Sequence, residues 1–175
     1  IDFNPDNGTF GERVDTLVNA AIMNKSISFP RPSYDGKNIM FTMSDYGNFS
    51  IWHKEADLWL LNLKDGNLHP INEVNSNDTE SFHNWSSNSH WFVFSSRRGD
   101  GLYTRLYLAS IDENGNVGKP FLLPQIEPFN YYDRLIYSYN VPEFINEPLN
   151  LKFNEVEKKI KLNKRIHLKV RDLLN

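Results

Sequence analysis

The sequence predicts a mainly β fold: two copies of one four-stranded antiparallel unit, preceded by a helix and followed by a helix and a strand. Three observations predict it. Phe29–Phe41 aligns with Phe82–Phe94, each copy running from a Ser through a polar turn into an apolar strand. Asp57–Leu63 likewise aligns with Arg105–Ile111, and each is followed by a turn pair, Asp65-Gly66 and Asn114-Gly115. Finally, Trp59-Leu60-Leu61 and Trp91-Phe92-Val93-Phe94 are apolar on both faces, so each sheet needs cover on both sides. Copies roughly 50 residues apart, each a sheet sandwiched between neighbours, are the pattern of β-propeller blades.

The expected organisation is a helical insertion over 1–27, blades over 28–75 and 76–124, and a linker with C-terminal extension over 125–175. In the first segment Thr9 and Glu12 have capping-box spacing, and Val14, Leu17, Val18, Ala21 and Ile22 share a helical face up to Asn24-Lys25. Expected strands of the first blade are Ser28–Pro32, Asn38–Thr42, Ala56–Leu63 and Leu68–Ile71. Those of the second are Ser81–Trp85, Trp91–Ser95, Thr104–Ile111 and Lys119–Leu123. The Asp-Gly and Asn-Gly pairs read as two-residue hairpin turns with positive φ at both central residues. Past Pro124 come a tyrosine-rich linker, a short basic helix over Glu155–Lys164 and a strand through Ile166, Leu168 and Val170.

Bulk composition sets limits. Aromatic residues make up 14% of the 175, enough to build a core and to argue against global disorder. A net charge of -3 argues against a nucleic-acid partner. No cysteine is present, so disulfide and thiolate chemistry are excluded. No run approaches the roughly 20 apolar residues of a membrane span. The basic tail, from Lys158 to Arg171, interleaves apolar residues and reads as a docked, solvated face.

The repeat core carries a family likeness. Ser33-Tyr34-Asp35-Gly36-Lys37-Asn38-Ile39-Met40-Phe41-Thr42 resembles the S-P-D-G-K-x-I-x-F-x-S core of TolB-like, WD-like propeller repeats, with Tyr34 replacing Pro. Trp85 to Arg98 looks like a second copy, with Asn88-Ser89 in place of Asp-Gly. The likeness covers about Ser28 to Pro124, and the flanks resemble extensions of larger TolB-like proteins of Bacteroides-type bacteria. The resemblance implies a propeller of more than two blades, hence a chain that is the C-terminal part of a longer one. The alternative is self-association that completes the ring. It also implies a periplasmic or cell-surface location and a non-catalytic module that binds a protein or peptide.

No G-x-S-x-G elbow exists for a prolyl-oligopeptidase-like peptidase. The five histidines, His53, His69, His83, His90 and His167, form no ligand-spaced pair, so no metal and no cofactor is expected. Asp112, Asn114 and Asn116 resemble the opening of a calcium loop. Val117 stands where Gly belongs and Leu123 where the bidentate Glu belongs, so the stretch is a hairpin turn. Arg98-Gly99-Asp100 is a blade turn. Ser33, Ser86, Asp35 and Asn88 are expected to be structural turn residues. No catalytic residue is expected.

The binding candidates lie in the loop from Ser44 to Glu55, longer than its counterpart in the second copy. Tyr46, Phe49, Trp52 and His53 at its tip suit a surface that grips a peptide or stacks a sugar ring. The rival reading makes the chain part of a carbohydrate-active propeller lyase or hydrolase, its site assembled from several blades.

Overall fold

The computed structural model describes residues 1–162, which fall into two compact units, residues 1–144 and residues from 145 onward. The first unit opens with a small hairpin, β1 (Phe3–Asn4) against β2 (Thr9–Phe10), whose Phe3 and Phe10 rings lie 5.0 Å apart. The expected three-turn helix shrinks to α1 (Ala20–Met23), capped by Asn19 Oδ1 on the amides of Ala21 and Ile22 and ended by Asn24 at φ 50. The capping box does not form, because Thr9 pairs with Asn4 in the hairpin and its hydroxyl donates to Asn7. A short helix gains little until it is several turns long. This segment instead sends Val18 and Met23 onto the face of the first sheet.

The first sheet runs β3 (Ser26–Pro32), β4 (Asn38–Ser44), β5 (Asp57–Asn62), β6 (Leu68–Pro70). The second runs β7 (Glu80–Trp85), β8 (Trp91–Ser96), β9 (Arg105–Ser110), β10 (Phe121–Leu122). Both are antiparallel throughout, with strands neighbouring in chain order, and both break register on the first strand at the same place. There Phe29 and Phe82 adopt φ 55 and 49, a strained backbone for a bulky residue, and their rings meet at 4.8 Å.

Strand register decides how the sheets stack. Met40 pairs with Leu60 and Thr42 with Leu58, so these four share one face of the first sheet. Phe92 pairs with Ala109 and Phe94 with Tyr107 on the facing side of the second. Met40, Leu58, Leu60, Trp85, Phe92, Phe94 and Ala109 form one buried cluster, so the sheets pack face to face. Each fully buried large side chain there contributes about 1.5–3 kcal/mol. The repeat alignment places Phe92 and Phe94 at the positions of Ile39 and Phe41. The first sheet's outer face, with Ile39, Phe41, Trp59 and Leu61, is therefore the counterpart of the face with which the second sheet docks. Val18 and Met23 cover it in part.

The opposite end is closed by polar contacts. Ser95 Oγ shares its proton between the carbonyls of Tyr139 and Asn140, at 2.9 and 2.6 Å. Arg105 donates to the carbonyls of Leu135 and Tyr137, each at 2.9 Å. The linker leading there is not irregular throughout, since Pro128–Arg134 forms α2, started by Pro at its first turn. Tyr132 anchors α2 through its hydroxyl on the Leu123 carbonyl at 2.6 Å.

Two further expectations are corrected. Only Gly66 and Gly115 take positive φ (72 and 85) in their turns; Asp65 and Asn114 do not. The loops are longer than two residues: Asn62 N bonds Asn67 O, and Asp112 N bonds Asn116 O, at 2.9 and 3.0 Å. In the second unit α3 (Phe153–Leu162) carries a Lys161–Glu157 pair one turn apart. The strand expected at 166–170, His167 and the end of the basic tail lie outside the described residues. Among those described, no helix is long and apolar enough to cross a membrane.

Candidate recognition surface

The base of the Ser44–Glu55 loop is bolted to the second sheet. Thr79 Oγ1 donates to the His53 carbonyl at 2.5 Å, and Glu80 N to the Ala56 carbonyl at 2.8 Å. Ser50 and Thr42 both share hydrogen bonds with Ser81 Oγ, each at 3.1 Å. Within the loop a single 3-10 turn, Ser50–Trp52, buries Ile51 and throws Trp52 outward.

The anchor beneath is ionic and fully satisfied. Glu80, 0% exposed, accepts from Ser76 and Ser96 hydroxyls at 2.7 Å and from Arg98 at 2.9 Å. Arg98 also reaches the Val74 carbonyl, which ties the inter-sheet connection to the second sheet. A buried carboxylate survives only when so paired. Arg97 lies beside this group, with Asp78 at 3.7 Å and the Gly101 carbonyl as its other partners.

On this platform stand three exposed aromatic rings: Tyr46, Phe49 and Trp52, at 68, 73 and 69%. The Arg97 guanidinium sits 5.1 Å below the Trp52 ring, a cation–π contact that leaves the other ring face open. His53 is not at the tip. It is largely buried, its ring tilted at 50° against that of Tyr46 with centroids 4.3 Å apart, and its Nδ1 lies 3.1 Å from Glu55 Oε1. It positions Tyr46 rather than reaching outward.

The His53–Glu55 pair orients an imidazole as general bases are oriented, but the nearby hydroxyls are occupied. Ser44 Oγ donates to the Tyr46 carbonyl and Ser50 Oγ pairs with Ser81. Neither hydroxyl is paired with the His53 imidazole. Among the described residues, no three His, Cys, Asp or Glu side chains stand where they could hold a metal ion. His83 and His90 do not meet in one site: His83 Nε2 donates to the Met40 carbonyl at 2.9 Å, and His90 Nδ1 lies 3.4 Å from the Ile111 carbonyl. Burial lowers the His83 pKa to about 4.

Two regions that sequence reasoning did not nominate join the surface. Leu102, 67% exposed, comes from the β8–β9 loop, and Ser138 and Asn140 come from the segment after α2. With Ile51, Trp52, Arg97 and Thr104 they enclose a cavity of about 70 Å³. No local pattern marks them, because they meet Trp52 only through sheet stacking.

No family model matches the chain, and no curated protein matches it. Among solved structures it is similar to the crystal structure of TolB from Acinetobacter baumannii, at 24% identity and a TM-score of 0.33 over 55% of this chain. The chain spans about a fifth of that structure, 20% of its length. The likeness is distant and concerns the fold alone; the mainly β architecture of two four-stranded antiparallel sheets rests on the pairing described above.

Proposed function

We propose that this chain is a non-catalytic binding module, a sector of a β-propeller with repeat units over 28–75 and 76–124, that recognises a protein or peptide through the Ser44–Glu55 loop. The observation that carries this reading is the set of exposed aromatic rings, Tyr46, Phe49 and Trp52, held on a buried ionic base. Exposed Trp and Tyr supported by a buried Arg have the composition of interaction hot spots, where few residues carry most of the binding energy. An unsupported aromatic loop would lose its affinity to ordering entropy; one anchored to both sheets does not. The propeller assignment and an envelope location draw on the repeat core at Ser33–Thr42 and Trp85–Arg98.

The test is capture from an envelope extract with the intact chain and with Trp52→Ala and Phe49→Ala. A defined protein partner retained by the parent and lost by both variants, with unchanged circular dichroism, supports the reading. Equal capture by all three, or hydrolysis of peptide or polysaccharide substrates by the purified chain, overturns it.

A further inference from the structure

We propose that the cavity beneath Trp52 is an anchoring subsite for one carboxylate, from a short acidic side chain or a chain terminus of the bound polypeptide. The proposal rests on the reading of this loop as a recognition surface and names what it grips.

The lining is mostly apolar, and its few polar groups that remain unpaired are donors, those of Ser138 and Asn140 lying in exposed residues at the cavity's edge. The Asn140 side chain accepts from Thr104 Oγ1 at 3.2 Å, while its Nδ2 protons have no partner among the described residues. Ser138 Oγ accepts the Thr104 amide at 3.3 Å, which leaves its own proton to donate. Arg97, 9% exposed, places Nη1 in only a long 3.4 Å bond to the Ile51 carbonyl. The Ile51 carbonyl and Asn140 Oδ1 are thus already engaged. A group that only accepts matches such a lining, and a carboxylate is one.

Size and charge narrow it further. A volume of about 70 Å³ suits one small group. The mouth is flanked by Trp52 and Leu102, so the carboxylate should be followed by apolar surface. Asp78 lies 3.7 Å from Arg97 Nε and offsets part of its charge. A free fragment should therefore bind weakly, on the order of millimolar, and gain affinity when apolar flanks are attached.

The experiment is a titration of the 15N-labelled intact chain with acetate, acetamide, Ac-Leu-Asp-Leu-amide and the free acid Ac-Leu-Leu. Acetate is expected to shift the Asn140 side-chain amide and the Trp52 indole N–H saturably, with the Trp91 indole unmoved. Acetamide should bind about tenfold more weakly, and one peptide about tenfold more tightly than acetate, which identifies the source of the carboxylate. Asn140→Ala and, should that variant not fold, Ser138→Ala should abolish the acetate response. No saturable acetate shift, equal binding of acetamide, peptides no tighter than acetate, or an unchanged response in the folded variants overturns the proposal. Because the probes act on the isolated chain, this outcome is read independently of partner capture.

Discussion

Ser89 Oγ accepts a hydrogen bond from the Asp35 amide at 3.0 Å, so the polar turn of the second repeat is clipped to the equivalent turn of the first. Ser89 stands at φ 60 where the first repeat has Gly36 at φ 70. The left-handed backbone disfavours any side chain, yet here the hydroxyl joins two sheets. Ser89→Ala should destabilise by about 1 kcal/mol through the lost bond. Ser89→Gly should cost less than that, because relief of the strained φ offsets the loss. Denaturant midpoints of both variants and the parent check this: Ser89→Ala as stable as the parent would mean the inter-sheet clip is unimportant, and Ser89→Gly less stable than Ser89→Ala would mean the left-handed backbone carries no strain to relieve.

Within each turn the same chemistry recurs. Ser33 Oγ accepts the Asn38 amide at 3.0 Å and contacts Asp35 at 2.7 Å, and Ser86 does the same with Trp91 and Asn88. Ser33→Ala and Ser86→Ala should each cost about 0.5–1.5 kcal/mol. Ser33, which is buried, should lie at the upper end. Neither should alter the Trp52 surface, which 15N spectra can verify.

Burial of His83 between the sheets makes acid a denaturant of the stack. Burial depresses the folded-state pKa of His83 from 6.5 to about 4. Between those values the unfolded chain binds a proton that the folded chain does not. Stability is therefore fully present above pH 6.5 and falls as pH drops toward 4, by about 3 kcal/mol from this group. His83→Gln, which keeps a donor for Met40 O but cannot titrate, should flatten the slope of urea midpoint against pH. An equally steep slope in that variant would assign the acid sensitivity elsewhere.

Asp57 acts in the opposite sense. Burial first, and Glu80 second, raise its pKa from 3.8 to about 6. The folded state binds the extra proton, so stability falls as pH rises from 3.8 through 6, and the penalty is complete above it. Asp57→Asn should raise the urea midpoint at pH 7.5 and leave it nearly unchanged near pH 4. The effect should be modest, since solvent screens a half-buried group.

The first sheet's outer face is only partly covered. Deleting residues 1–24 removes Val18 and Met23 from Phe41 and Leu61. The truncated chain should bind apolar dye or self-associate, as a large bare apolar patch does. A monodisperse, dye-free truncation would show that this face needs no cover.

The strands were legible in the sequence because their signals are local. The apolar run at Ile39–Phe41, the matching run at 91–94 and the turn residues at Ser33 and Ser86 each specify a conformation over a few residues, and the two copies corroborate each other. The N-terminal helix was misread for the opposite reason. The spacing of Val14, Leu17, Val18, Ala21 and Ile22 fits a helical face, but the sheet beside it offered Val18 and Met23 a better partner than further helical turns. The aromatic loop was legible as composition, whereas its geometry was not. Exposure of Trp52 over Arg97, retreat of His53 behind Tyr46, and the meeting of Leu102, Ser138 and Asn140 depend on which sheet faces stack. Such contacts join residues far apart in the chain, and only the tertiary fold, through burial and long-range hydrogen bonds, selects among the many pairings that local preference allows.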